Sequence, residues 1–109
     1  MRFIFEQIRT GGDRNFAYLV GDRDAAEGVL IDPSYDPDAV VERSRAQGLA
    51  TTHVINTHGH PDHVNGNERA LELTGARLAA YREAESRPEV ALDDGDELKV
   101  GSITMRFLH

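Results

Sequence analysis

Three short segments in the first third of the chain have hydrophobic patterns typical of β-strands. Side chains alternate over residues 3–7, Phe16–Val20 is a run of β-favouring residues, and Val29–Ile31 is wholly apolar. Turn-forming residues follow each of the last two segments. The pattern therefore predicts three strands, with residues 21–28 forming a hairpin connection between the second and the third.

Helical spacing begins in the middle third of the chain. Asp36-Pro37-Asp38 is a favourable helix start, because proline suits the first turn and acidic side chains favour the positive end of the helix dipole. The helical spacing continues until Gly48, which indicates the end of the helix. Residues 53–56 then predict a buried strand, so this strand–helix–strand segment indicates a parallel crossover. A second helix over residues 68–73 and a strand over 77–80 are expected after it.

The clearest alternation lies near the end of the sequence. A turn at Gly101-Ser102 separates two alternating segments, whose apolar positions are Leu98, Val100, Ile103, Met105 and Phe107. This pattern predicts a hairpin with one buried face. Together the elements predict a layered α/β protein in which helices pack against a sheet, as a single domain over residues 1–109.

Composition narrows the range of functions. The chain has 109 residues and an ordinary hydrophobic share of 39%, which suits one globular domain. The formal net charge of −7 disfavours nucleic-acid and anionic-membrane partners, which need a basic surface. No apolar run approaches the roughly 18 residues of a membrane span, and the apolar start is too short for a signal peptide. We therefore expect a cytoplasmic protein.

One stretch concentrates residues that bind metals. Residues 55–67 read INTHGHPDHVNGN and hold three of the five histidines in the chain. Pro61 disfavours a helical conformation at the residue before it, so we expect an extended loop leaving the preceding strand. Because the chain has no cysteine, any metal must be held by imidazole and carboxylate groups. A solvated surface loop is the alternative, but this density of ligand-type residues after an apolar strand favours a metal site.

The spacing within this loop suggests two metal positions. In extended backbone, residues two apart point the same way, so His58 and His60 are able to face one metal. Asp62 and His63, at the turn into the next helix, point elsewhere and are able to face a second. Gly59 and Gly66 allow tight backbone paths through a crowded site. We predict that the four ligand-type side chains converge on one or two ions.

Four segments of the chain are similar to segments of one enzyme family. THGHPDHVNG resembles the histidine-x-histidine-x-aspartate-histidine signature of the metallo-β-lactamase fold hydrolases. NFAYLV resembles the second strand of that family, VLIDP the strand that ends in its first aspartate, and DGDELKVGSITMRFLH the hairpin before its next metal-ligand loop. The resemblance covers nearly the whole chain and is most like the glyoxalase II and persulfide dioxygenase branch. It is specific for the fold and poorly specific for the substrate.

The resemblance implies a role for each matching residue. His58 and His60 would be ligands of a first metal, and Asp62 and His63 ligands of a second. Asp62 would also lie near the attacking water, as the catalytic carboxylate. Asp32 would orient the loop, since ligating histidines need an outer hydrogen-bond partner; a plain turn residue is the alternative interpretation of this position. The implied cofactor is zinc, two ions in an intact relative, with iron and manganese as alternatives.

The resemblance also implies that the site is incomplete. Family members take a third histidine for the first metal, a bridging aspartate and a further histidine from later sequence, and His109 is not expected to take any of these roles. The implied fold is the N-terminal αβ half of the αββα metallo-β-lactamase sandwich, apparently truncated before the later metal-ligand motifs. We therefore expect the isolated chain to be inactive. Its strands Phe16–Val20, Val29–Ile31 and 54–55 are expected to leave apolar side chains on an uncovered sheet face, through which the chain forms a homo-oligomer.

Three functions remain open. The first is a metal-dependent hydrolase of small-molecule thioester or ester substrates, similar to glyoxalase II, in which a metal-activated water attacks the carbonyl. The second is a mononuclear iron persulfide dioxygenase, in which two histidines and a carboxylate hold the iron. The third is a non-catalytic half-domain that self-associates, and a nuclease of the same fold is disfavoured by the acidic charge. No residue in 1–109 identifies the acyl or thiol part of a substrate.

Overall fold

The computed structural model of the protein describes residues 2–12, 15–57, 64–82 and 88–108. Its strands are β1 (Phe3–Gly11), β2 (Asn15–Asp22), β3 (Glu27–Ile31), β4 (Ala50–Ile55), β5 (Arg77–Tyr81), β6 (Val90–Leu92), β7 (Glu97–Val100) and β8 (Ile103–Arg106). The helices that follow β3 and precede β5 are α1 (Pro37–Ala46) and α2 (Asn67–Thr74).

The strands form one large sheet and one small one. The six-stranded sheet has the order β1-β2-β3-β4-β5-β6, and β7 pairs with β8 in a separate two-stranded sheet. Strands β1, β2 and β3 are antiparallel neighbours, whereas β3, β4, β5 and β6 are parallel neighbours. The carboxyl ends of these four parallel strands therefore lie along one edge of the sheet.

The two faces of the large sheet are covered by different elements. On one face, α1 packs its buried Val40 and Val41 against Leu19 of β2 and Leu30 of β3. On the other face, the β7–β8 hairpin packs Val100 and its neighbours over the central strands. The predicted layering of helices against a sheet is confirmed, and the hairpin forms a further layer. No helix in the described part of the chain is long and apolar enough to cross a membrane.

The position of the hairpin corrects the expectation of an uncovered sheet face. Val20, Val29 and Ile55 are 7%, 0% and 2% exposed, and all three belong to the cluster that the hairpin covers. The predicted exposure of these strands is therefore wrong, because β7 and β8 fold back over them. The same face is exposed at β1, an edge strand, where Phe3 and Phe5 are 57% and 56% exposed.

Most of the predicted elements are confirmed. The strands predicted in the first third are β1, β2 and β3, and the parallel pairing of β3 with β4 confirms the crossover. Helix α1 begins as predicted, with the Asp36 carboxylate accepting a hydrogen bond of 3.2 Å from the backbone N–H of Ala39. The pattern does not predict β6, because three residues are too few to show an alternation.

Candidate functional site

Polar residues follow directly after the two central parallel strands. Asp32 comes after β3, and Asn56 and Thr57 come after β4. In open α/β sheets, ligands commonly bind outside the carboxyl ends of the strands. This edge is also where the chain enters the predicted metal-binding loop, because Thr57 immediately precedes His58.

Asp32 is buried and tied to the start of the loop. Only 3% of the residue is exposed, and one carboxylate oxygen accepts a hydrogen bond of 2.9 Å from the backbone N–H of Thr57. The other oxygen accepts a hydrogen bond from the Thr57 hydroxyl. The backbone N–H of Asp32 donates to the carbonyl of Ile55 at 2.8 Å, and its φ of +51° lies in the left-handed region that aspartate tolerates better than most residues. Asp32 is therefore a turn residue that also fixes the backbone beside His58.

The turn after Asp32 also contacts the far end of the loop. The backbone N–H of Tyr35 donates a hydrogen bond of 2.7 Å to the side-chain oxygen of Asn65. Gly66 packs against Pro33 so closely that a Cβ atom at Gly66 would overlap the Pro33 carbonyl. The predicted tight backbone path at Gly66 is confirmed, and the cause is contact with this turn.

Two asparagines join the ends of the loop to each other. The side-chain N–H of Asn56 donates to the side-chain oxygen of Asn67 at 2.9 Å, and the side-chain N–H of Asn67 donates back to Asn56 at 2.7 Å. Asn56 and Asn67 are 7% and 9% exposed. Each amide thus satisfies one donor and one acceptor of the other in a buried position.

The predicted metal ligands themselves lie outside the described residues. This applies to His58, His60, Asp62 and His63, and also to His109. Their convergence therefore stays a prediction. In the parts of the chain that the structure describes, no group of three or more histidine, aspartate or glutamate side chains is placed to hold a metal.

His53 is the one histidine that falls within the described ranges, and it has a structural environment. It lies half-buried in β4, with its Nδ1 atom 2.9 Å from the Thr52 hydroxyl oxygen. Burial, and then the nearby Arg77 cation, lower the pKa of the His53 imidazole below its usual value, although Glu27 opposes this. The neutral ring is favoured, which suits a side chain packed in a strand.

An apolar cleft of about 170 Å³ opens beside Thr57. Its walls combine aliphatic and aromatic side chains with a few polar groups: Ile31, Ile55, Asn56, Thr57, Tyr81, Leu92, Asp93, Phe107 and Leu108. Arg82 donates two hydrogen bonds of 3.0 Å to the two carboxylate oxygens of Asp93, and the pair lowers the pKa of that carboxyl. The cleft is able to receive an apolar group next to the start of the loop.

Sequence reasoning missed three asparagines of this site. Each of them contacts a residue outside the histidine signature: Asn56, Asn65 and Asn67. The sequence suggested a function only for the histidines, the aspartate and the glycines of this segment. The available signal was their position, because they bracket the ligand-type residues in INTHGHPDHVNGN.

Comparison with known proteins identifies the family. The model of the metallo-beta-lactamase superfamily matches residues 10–106. The chain belongs to this superfamily. Its described layers form one αβ half of the αββα metallo-β-lactamase sandwich.

Relatives of two kinds are similar to this superfamily member. A hydroxyacylglutathione hydrolase of Polaromonas is 38% identical over 102 residues, which cover 90% of this chain and 38% of the relative. The mitochondrial persulfide dioxygenase ETHE1 of Homo sapiens is 32% identical over 110 aligned positions, which cover 96% of this chain and 41% of the relative. The crystal structure of ETHE1 from Myxococcus xanthus superimposes with a TM-score of 0.85 at 31% identity, covering 94% of this chain and 46% of that one. The chain thus spans about two fifths of the length of the curated relatives that it matches.

Proposed function

We propose that the full-length protein is a metal-dependent hydrolase of thioester or ester substrates, similar to the hydroxyacylglutathione hydrolases. The observation that carries this proposal is the contact between Asp32 and Thr57. The buried Asp32 carboxylate accepts a hydrogen bond from the backbone immediately before His58. A metal-binding histidine loop needs hydrogen-bond partners of this kind outside its ligands. The superfamily match over residues 10–106 and the similarity to the Polaromonas hydrolase support the same activity.

The donor set suits a divalent metal such as zinc. Imidazole and carboxylate groups are its ligands in proteins without suitable cysteines, and the loop offers three imidazoles and one carboxylate. In the proposed site, His58 and His60 hold one ion, and Asp62 and His63 hold a second. When bound, such ions supply a water with a pKa of about 7 and polarise the substrate carbonyl.

Residues of the chain itself have the remaining roles in the proposed reaction. Asp62, as the proposed catalytic carboxylate, would lie near the attacking water. Asp32 keeps the start of the loop in place through Thr57. The apolar cleft beside Thr57 receives part of the substrate.

Residues 1–109 alone are not expected to run this reaction. Two protein ligands per ion fall short of the three that catalytic zinc sites normally use. We expect the isolated segment to hydrolyse S-lactoylglutathione far below the roughly 1–1000 turnovers per second of ordinary enzymes, with zinc, manganese or iron added. A rate in that range would show that the segment completes its site in another way.

The proposal is tested in the full-length protein with a pair of aspartate variants. Asp32→Asn keeps the side-chain shape but removes the charge, so we expect zinc affinity to fall about 10- to 100-fold and hydrolysis of S-lactoylglutathione to fall with it. Asp36→Ala is the matched control, because Asp36 lies in the same connection but caps α1 instead. It should lower stability by about 1 kcal/mol and leave zinc affinity unchanged.

The outcome that contradicts the hydrolase is specific. Full-length protein that binds zinc, yet hydrolyses neither S-lactoylglutathione nor aryl esters, would reject this activity. A His60→Ala variant that retains full zinc affinity would reject the proposed ligand set.

The second candidate is a persulfide dioxygenase. The superposition on Myxococcus xanthus ETHE1, at a TM-score of 0.85 and 31% identity, favours it. It requires a single iron held by two histidines and a carboxylate. Oxygen uptake with glutathione persulfide and ferrous iron, without thioester hydrolysis in the presence of zinc, would select the dioxygenase over the hydrolase.

A further inference from the structure

The amide pair of Asn56 and Asn67 closes the base of the metal-binding loop. Asn56 directly follows β4, and Asn67 is the first residue of α2, so the pair joins the two ends of the segment that carries every predicted ligand. The two hydrogen bonds, of 2.9 and 2.7 Å, run in opposite directions between the same two side chains. Each side chain thus uses its carbonyl oxygen and one of its two N–H groups in the pair.

The choice of amides at these buried positions suggests a task other than stability. Two apolar side chains of similar volume would stabilise the contact between β4 and α2 about as well, since a buried hydrogen bond contributes little net free energy. Apolar side chains slide over one another, whereas a satisfied amide pair permits one register only. The pair therefore fixes where the chain leaves β4 relative to where it enters α2.

Two further contacts hold the same ends from the side. Asp32 binds Thr57 at the beginning of the loop, and Tyr35 binds Asn65 near its end at 2.7 Å. Both contacts come from one turn, in which Asp32 and Tyr35 have positive φ angles of 51° and 60°. The turn fixes each end against β3, and the amide pair links the two ends directly.

We propose that Asn56 and Asn67 are positioning residues, which set the separation of the loop ends and thereby the affinity of the loop for its metal. This inference rests on the proposed metal site and extends it to two residues outside the histidine signature. Neither asparagine belongs to the proposed ligand set, and Asn56 also lines the cleft beside Thr57. Their effect on metal binding passes through the backbone of the loop.

The experiment compares three changes in the full-length protein. Asn67→Ala removes the pair, and the double change Asn56→Leu with Asn67→Leu replaces it by an apolar contact between side chains of similar branched shape. Ser44→Ala is the matched control, because the Ser44 hydroxyl lies buried 3.3 Å from the Thr51 hydroxyl and also links a helix to β4, away from the loop. For each protein we would measure the zinc dissociation constant, the absorption spectrum of bound cobalt and the urea midpoint of the metal-free form.

The three variants should show that metal affinity and stability change independently of each other. We expect Asn67→Ala to raise the zinc dissociation constant about tenfold. The leucine pair should regain the urea midpoint of the wild type but keep the weak zinc binding and an altered cobalt spectrum. Ser44→Ala should lower the midpoint and leave the zinc dissociation constant unchanged.

Two outcomes would overturn the inference, and they differ in what else they reject. If the wild type binds zinc and the leucine pair binds it equally well, the amides have no positioning role and the metal site stands. If the wild type binds neither zinc nor cobalt, the proposed function fails together with this inference.

Discussion

Among the glycines that the structure describes, Gly66 has the least space for a side chain. Its φ of −100° is open to any residue, so the restriction comes from contact with the Pro33 carbonyl and the Ser34 backbone. Backbone atoms cannot move aside as a flexible side chain does. We predict that Gly66→Ala lowers the free energy of unfolding by about 3 kcal/mol, measured by urea denaturation.

Gly75 provides the control for that change. Gly66 directly precedes helix α2 and Gly75 directly follows it, with a φ of +68°. A Cβ atom added at Gly75 would meet nothing within 4 Å. Gly75→Ala should therefore cost only the strain of the left-handed conformation, about 1 kcal/mol. Equal losses at the two glycines would show that Gly66 is not constrained by the turn beneath it.

Among the secondary-structure elements, the β7–β8 hairpin is anchored at its turn by carboxylates. Asp22, at the end of β2, accepts hydrogen bonds from the Ser102 hydroxyl at 2.6 Å and from the Ser102 backbone N–H at 2.9 Å. These hydrogen bonds lower the pKa of Asp22 from 3.8 to about 2, and the bond from the Ser102 hydroxyl has the largest effect. Glu27 supports the anchor by accepting a hydrogen bond of 3.0 Å from the backbone N–H of Gly101.

This anchor predicts a pH dependence of stability. Because the pKa of Asp22 is lower in the folded state than in the unfolded state, its stabilising effect is complete above pH about 4 and is lost as the pH falls through about 2. Asp22→Asn should remove that effect. We therefore expect the difference in unfolding free energy between wild type and Asp22→Asn to shrink as urea titrations move from pH 5 to pH about 2.

Ser102→Ala offers a second measurement of the same contact. It removes the hydroxyl donor, so the pKa of Asp22 should rise towards its ordinary value in an NMR titration. Parallel loss of stability in wild type and Asp22→Asn over the acid range would mean that other carboxylates dominate acid unfolding.

For the whole molecule, the feature that bears on self-association is an exposed aromatic patch on the edge strand β1. Phe5 lies opposite Val20 in the β1–β2 register, so it is on the face that the hairpin covers elsewhere. Its ring lies 5.8 Å from that of Tyr18, and Phe3 beside it is also more than half exposed. We predict that isolated residues 1–109 self-associate through this patch.

Sedimentation equilibrium tests the association. The double change Phe3→Ser with Phe5→Ser should shift the segment towards monomer, whereas Leu108→Ser, which also removes an exposed apolar side chain, should not. A wild-type segment that is still monomeric in the high micromolar range would contradict the prediction. That concentration is about 100 times the one at which typical dimers form.

The elements were predictable because each depends on neighbours along the chain. Asp36-Pro37-Asp38 begins α1 through a local cap and a local dipole effect, and the alternation at Leu98 and Val100 marks β7 without reference to any other strand. Strand β6 shows the limit of this reasoning. Its three residues form a strand because β5 pairs with them, and such pairing has no local signal.

The candidate site was predictable only in its chemistry. The residue types and spacing in INTHGHPDHVNGN indicate a metal site and its ligands. The family resemblance names Asp32 as a support of that loop, but residue spacing does not give its partner, because Asp32 meets Thr57 across 25 positions of the sequence. Tyr35 meets Asn65 across 30 positions and was not predicted. Spacing along a chain cannot assign partners that are set by the order of strands in a sheet.

By itself, the sequence determined most of the secondary structure, the acidic charge and the absence of thiolate ligands, and it predicts the chemistry of the histidine loop, since all of these depend on residue type and local spacing. The tertiary structure alone decided that β7 and β8 cover the central strands, that Asp22 reaches Ser102 across 80 positions, and that Asn56 joins Asn67. These contacts depend on the packing of whole layers. Packing selects among many partners of similar chemistry, and the selection is made by geometry that appears only when the chain is folded.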